Sequence, residues 1–219
     1  MPLYFKQMNS RLKTDKGIYL ITPNQQDTDL LCAQIELFLQ QPIAAIQYRN
    51  KIVNAAAQRI QANALLQLCQ NVGVPLIIND DWQLALDIGA DGVHLGINDA
   101  EPRWVRAQLG DKMIIGVSCY NDFQRAQRLS REDIDYLAFG AMYHSQTKPK
   151  AEHAELNLLT QAKALNKPIV AIGGITPDNS AEVIAAGADY IAVISGIFTA
   201  KNPEHALNSY LNTFARQDL

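Results

Sequence analysis

Apolar residues in this chain fall into eight short, largely β-branched runs: GIYLIT (17–22), PIAAIQY (42–48), VPLIIN (74–79), DGVHL (91–95), MIIGVS (113–118), DYLAFG (135–140), PIVAIG (168–173) and DYIAVIS (189–195). The runs are nearly continuous rather than alternating, as expected of parallel strands covered on both faces. Between them apolar positions recur at helical spacing, as in Leu30, Leu31, Ile35, Phe38 and Leu39, or Ile60, Ala64, Leu65 and Leu68. Eight such alternations predict an α/β fold, a single (β/α)8 TIM barrel over residues 17–219, with residues 1–16 as an N-terminal extension.

Helix starts are marked by Thr176-Pro177 and Asn202-Pro203, an N-cap residue followed by proline at the first helical position. The rival architecture is an open doubly wound sheet. Against it, no GxGxxG follows the first strand, and polar residues end nearly every strand instead of gathering at one switch point. The segments LALDIGADGVHLG and VIAAGADYIAVISG each set helix, glycine turn and strand in order, which is shared βα grammar rather than a solenoid repeat.

Composition narrows the function. The 219 residues are 48% hydrophobic, enough for a full core, and no Pro/Gly/Ser-rich linker divides them. Nineteen Lys and Arg against 22 Asp and Glu leave a net charge of −3 without a basic run, so a nucleic-acid partner is not expected, while a local pocket for a small anion is. Cys32, Cys69 and Cys119 are too widely spaced for a disulfide framework or a zinc ribbon and read as reduced thiols of a cytoplasmic protein. The first 16 residues lack the apolar stretch of a signal peptide, and no run approaches the roughly 18 apolar residues of a membrane span. Homo-oligomerisation stays open.

In barrels of this kind the carboxyl ends of the strands carry the chemistry. After the second strand Gln47, Arg49 and Lys51 alternate and so project to one side, a planar fork beside a compact charge that suits a diphosphate. Asn79 and Asp80 end the third strand and Asp99 lies just beyond the fourth. Two acids from neighbouring strands suit Mg2+, whose shell is completed by water and phosphate. Helix capping is the competing account: Asp81 sits at a cap position, and the spacing of Asp99 to Pro102 also fits one. Ser145, Thr147 and Lys148 stand in a polar loop after the sixth strand. Gly173-Gly174 and Ser195-Gly196 end the seventh and eighth, where barrels commonly bind phosphate. His94, inside an apolar strand, reads as a hydrogen-bonded core histidine, Cys119 lacks an activating partner, and Trp82 and Trp104 read as packing.

With these motifs in order from GIYLIT to VISG, the chain resembles the thiamine phosphate synthase family over nearly its full length. The resemblance implies a transferase joining hydroxymethylpyrimidine diphosphate to hydroxyethylthiazole phosphate, with Mg2+ held by Asp80 and Asp99. It implies that Gln47, Tyr48, Arg49, Asn50, Lys51, Asn79, Ser118 and Lys148 bind the pyrimidine diphosphate, with Arg49, Lys51, Ser118 and Lys148 also catalytic. Ser145, Gln146, Thr147, Gly174, Ile194 and Ser195 would bind the thiazole phosphate. Three places depart from the family's usual pattern: Ile97 stands where glutamine is common, Ser145 where threonine is usual, and Cys119-Tyr120 where Thr-His is frequent. The alternatives are a thiazole tautomerase on the same barrel, a branch that uses a histidine near position 120, and a non-catalytic sensor of phosphate ligands.

Overall fold

The structure, a computed structural model, describes residues 11–144 and 153–217. Strands β1 (Gly17–Ile21), β2 (Ile43–Tyr48), β3 (Leu76–Asn79), β4 (Gly92–Leu95), β5 (Ile114–Tyr120), β6 (Tyr136–Phe139), β7 (Ile169–Ile172) and β8 (Tyr190–Val193) pair in parallel in sequence order. Pairing of β8 with β1 closes the barrel and rules out the open sheet. Helices α1 (Thr28–Phe38), α2 (Ala55–Val72), α3 (Trp82–Ile88), α4 (Pro102–Leu109), α5 (Phe123–Leu129), α6 (Leu156–Ala162) and α7 (Pro177–Ala186) make the return crossings, and α8 (Ser195–Phe198) and α9 (Pro203–Gln217) follow β8. The last strand is shorter than its apolar run suggests, because the chain turns at Ile194 and Ser195 opens α8.

The expected caps are present. Thr176 and Asn179 form a reciprocal capping box on α7, Asp81 Oδ1 accepts from Leu84 N at 2.8 Å, and Asn202 Oδ1 accepts from His205 N at 3.0 Å. Trp82 and Trp104 pack edge to face between α3 and α4, centroids 4.8 Å apart.

Strand period sorts the core into two shells. Outward residues such as Ile18, Ile46, Val93, Ile115 and Leu137 pack under the helices, while inward residues such as Tyr19, Ile77, Tyr136, Val170 and Tyr190 fill the barrel. Residues 11–16 lie across the amino-terminal mouth: Leu12 is buried, Lys13 N donates to Ala44 O, and Thr14 O accepts from Tyr190 Oη at 2.6 Å.

That mouth is tied by a repeated device. Asp91, Asp135 and Asp189 each precede an even-numbered strand, and each carboxylate accepts a backbone N–H from the start of the strand before it, at Leu76, Ile115 and Ile169 (2.7 to 2.8 Å). Asp135 also takes Arg106 Nη2 at 2.8 Å, and that guanidinium is almost wholly buried. Breaking a buried pair strands its partner. Asp135→Ala should therefore cost about 3 kcal/mol, the low end for such losses because Arg106 keeps contacts to Asp133 and Gly110. Urea unfolding checks this, and an unchanged midpoint would show that the pair contributes nothing.

Candidate active site

The carboxyl ends of the strands open into one cavity of about 1180 Å³. Its rim is set from the β2 end by local hydrogen bonds. Thr22 Oγ1 accepts from Arg49 N at 2.8 Å and donates to Arg49 O at 3.1 Å, while Asn24 Oδ1 accepts from Lys51 N at 2.8 Å. These contacts hold the extended backbone so that Gln47, Arg49 and Lys51 all face the cavity, as alternation predicts.

The same period places two of the expected residues differently. Tyr48 and Asn50 point the other way: Tyr48 Oη donates to Gln61 Oε1 at 2.9 Å, and Asn50 Nδ2 donates to Gln61 Oε1 and to Gln25 O. Both side chains are buried between β2 and α2, so they brace the cationic loop and do not line the cavity.

Asn79 and Asp80 at the end of β3, and Asp99 after β4, do line it. Asp80 adopts a left-handed conformation, φ 65°, with its N–H donating to His94 O at 2.8 Å. Its Oδ2 accepts from Lys51 Nζ at 2.5 Å. Capping does not explain Asp99: Glu101 is the residue before α4, and Asp99 Oδ2 instead accepts from Gly96 N at 2.6 Å. Burial lifts the Asp99 carboxyl above its ordinary value; the Gly96 amide opposes this and the neighbouring Asp80 carboxylate adds to it. The two acids therefore repel each other and are only partly balanced by Lys51.

The floor is a polar chain that no motif in the sequence announces. Gln47 Nε2 donates to Tyr19 Oη (3.0 Å), the Tyr19 and Tyr136 phenols meet at 2.7 Å, and His94 bridges Tyr136 Oη (3.0 Å) to Ser118 Oγ (2.8 Å). His94 is thus hydrogen-bonded as expected, and it also faces the cavity. Burial pushes both phenols well above their ordinary range, so they stay neutral and act as fixed dipoles. The strand period places Tyr19, His94 and Tyr136 on the inner side, but no local signal in the sequence joins them into one chain.

On the opposite side Gly174, Ile194 and Ser195 line the cavity. A Cβ at Gly174 would stand 2.4 Å from His144 O, and one at Gly173 2.7 Å from Ala141 Cα. These glycines are thus also required by the close passage of the chain leaving β6, beyond any approach of a ligand. Cys119 faces the helices, and burial pushes its thiol up to about 12, so it is no nucleophile. Ser145, Gln146, Thr147 and Lys148 lie outside the described residues.

Cations facing acids across adjoining strand ends define the class: a barrel enzyme for small phosphorylated substrates. Residues 18–197 match the family described as thiamine monophosphate synthase, and the chain belongs to that family. It is 50% identical over 213 residues to the thiamine-phosphate synthase of Xylella fastidiosa, covering 97% of this chain and 89% of that protein. The thiamine-phosphate synthase of Azoarcus sp. is 49% identical over 201 residues, covering 91% and 98%. The solved thiamine phosphate pyrophosphorylase of Pyrococcus furiosus superposes with a TM-score of 0.82 at 27% identity, covering 92% and 96%.

Gly116 on β5 lies against the Tyr136 ring, and a Cβ there would fall 1.8 Å from that ring. Gly116→Ala should displace Tyr136, break its bonds to Tyr19 and His94, and cost about 1–3 kcal/mol by overpacking. Thermal unfolding and near-ultraviolet circular dichroism check this, and an unaltered tyrosine signal would show that the ring has room.

Proposed function

We infer that this enzyme joins 4-amino-2-methyl-5-hydroxymethylpyrimidine diphosphate to 4-methyl-5-hydroxyethylthiazole phosphate, giving thiamine phosphate and diphosphate. The carrying observation is the juxtaposition of Arg49 and Lys51 with Asp80 and Asp99 in the cavity of a chain of this family. No helix among the described residues is long and apolar enough to cross a membrane.

In this reading Arg49 and Lys51 gather the diphosphate and stabilise the charge that grows on it as the carbon–oxygen bond breaks. Gln47, at the end of the Tyr19–Tyr136–His94 chain, and Ser118 orient the pyrimidine, whose electron-rich ring tolerates the methylene cation left behind. The thiazole phosphate, held by the backbone around Gly174, Ile194 and Ser195, brings its ring nitrogen to that carbon. We assign Ser145, Gln146 and Thr147 to the same phosphate and Lys148 to the diphosphate. No covalent enzyme intermediate is needed.

Asp80 and Asp99 suit a Mg2+ ion: both are hard oxygen donors, they repel each other in the absence of a cation, and their neighbours leave room for substrate oxygens. With two protein carboxylates, phosphate and water oxygens would complete the shell. When bound, the ion would neutralise the leaving diphosphate. A thiazole tautomerase would need neither this cradle nor a metal, and no histidine stands near position 120, the region where that branch uses one.

Purified protein given both precursors should form thiamine phosphate and diphosphate with Mg2+ and neither with a chelator. Absence of both products with Mg2+ would sink the reading. Removing one charge that acts mainly in the transition state costs about a hundredfold in kcat, so Lys51→Ala and Lys148→Ala should each fall by about that factor. Unchanged turnover at saturating substrate would remove the residue from the mechanism. Asp80→Asn and Asp99→Asn should abolish the response to Mg2+ and, by relieving repulsion, leave the metal-free melting temperature equal or higher; a clear drop would mean the acids serve the fold.

A further inference from the structure

Two of the departures from the family's usual pattern, Ile97 and Tyr120, are neighbours in space. Ile97 N donates to Tyr120 Oη at 3.4 Å across the gap between the β4 and β5 ends. One residue earlier in the same loop, Gly96 O accepts from Arg125 Nη2 at 3.4 Å, and Arg125 Nε donates to Ser118 O at 2.8 Å. Gly96 N donates to the Asp99 carboxylate. The loop that carries Asp99 is thus fastened to the end of β5 at the single peptide group joining Gly96 and Ile97, its N–H held by a phenol and its carbonyl by a guanidinium.

The backbone is shaped for this. β5 bulges between Ser118 and Tyr120, and Tyr120 sits at φ 55°, a conformation uncommon for an aromatic residue, with its carbonyl accepting from Gly140 N. The turn brings the phenol over the β4 loop. A Cβ at Gly96 would lie 3.1 Å from Asp99 Oδ2 and 3.3 Å from Tyr120 Oη, so carboxylate, glycine and phenol are already in close array. Arg125 is fixed in turn, because its own N–H is capped by Asp122 Oδ1 at 2.9 Å at the start of α5.

We propose that Tyr120 and Arg125 are positioning residues that hold the Gly96–Asp99 loop so that the Asp99 carboxylate faces Asp80. Arg125 further links this acid loop to Ser118, a residue of the diphosphate side, so metal and diphosphate would be registered by one guanidinium. The inference rests on the assignment of Asp80 and Asp99 as metal ligands. The two 3.4 Å contacts are long and individually weak, so the effect belongs chiefly to the pair.

The test is Mn2+ binding to the full chain in the presence of inorganic diphosphate, read from the free-ion electron paramagnetic resonance signal. Outer-shell partners of metal ligands affect metal affinity by about 10- to 100-fold. The Tyr120→Phe/Arg125→Gln double variant should lose about tenfold, and Arg125→Lys, which keeps one donor but not the fork, should lose less than Arg125→Gln. The metal concentration for half-maximal turnover should rise by a similar factor. Tyr120→Phe, which removes only the phenol oxygen and with it one weak hydrogen bond, serves as the variant sure to fold and should lose about two- to threefold of Mn2+ affinity.

A merely structural role would lower the melting temperature and leave Mn2+ affinity unmoved, which overturns the proposal. If Asp99→Asn loses Mn2+ while these variants do not, the positioning idea alone fails. If Asp80→Asn and Asp99→Asn also bind Mn2+ as the unaltered chain does, the metal assignment fails with it.

Discussion

Closing eight parallel strands leaves an interior only wide enough for side chains, so every inward position must be filled, bridged or left as glycine. Here much of the filling is done by tyrosine. Tyr19, Tyr136 and Tyr190 project inward and are almost wholly buried, and Gly116 supplies the gap into which the Tyr136 ring fits. A buried phenol must find a partner for its hydroxyl, because an unpaired one costs about 1–3 kcal/mol. Tyr190 reaches down to Thr14 O, whereas Tyr19 and Tyr136 meet each other and pass the chain on to Gln47 and His94. Filling the barrel thereby builds the floor of the cavity, and the polar groups that face substrate are held by the same bonds that satisfy the core.

This coupling explains what was legible in the sequence. Strand number, order and closure follow from local composition, and so does the inward set Gln47, Arg49 and Lys51, because a period of two survives to the end of β2. The same period turns the Tyr48 and Asn50 side chains toward α2, because adjacent residues of an extended segment face opposite ways, which a contiguous motif does not reveal. The polar floor is not legible in the sequence because its central contact joins residues 117 apart, and nothing local to Tyr19 or Tyr136 announces it. The spacing of Asp99 fits a cap and a ligand alike, and only the folded chain separates them, by placing its carboxylate on Gly96 N with Glu101 preceding α4.

Aspartates at the two ends of the barrel show how one residue type divides between stability and chemistry. At the amino-terminal mouth Asp91, Asp135 and Asp189 are each met by backbone N–H groups, with a buried guanidinium added at Asp135, so their charge is spent on fastening strand pairs. At the carboxyl end Asp80 and Asp99 stand near each other with a half-exposed ammonium as the main counter-charge. Similar side chains are closed by the protein at one end and left open to a ligand at the other, the segregation expected of a barrel that places chemistry at its carboxyl face.

Backbone strain follows the same division. Of the non-glycine residues with positive φ among those described, Asn166 ends the short helical turn after α6, while Asp80 and Tyr120 flank β4 at the cavity. Such conformations cost roughly 1–2 kcal/mol each for ordinary residues. Asp80 recovers part of this through its N–H to His94 O and Tyr120 through its carbonyl from Gly140 N. The left-handed turn directs the Asp80 carboxylate back toward Lys51 and Asp99, and the turn at Tyr120 directs the phenol across to Ile97. An extended residue at either position would carry its side chain along the strand instead of across the mouth. The strain is therefore concentrated where side chains from three adjacent strands must converge, and the clamped opposite end supplies a fold stable enough to hold it.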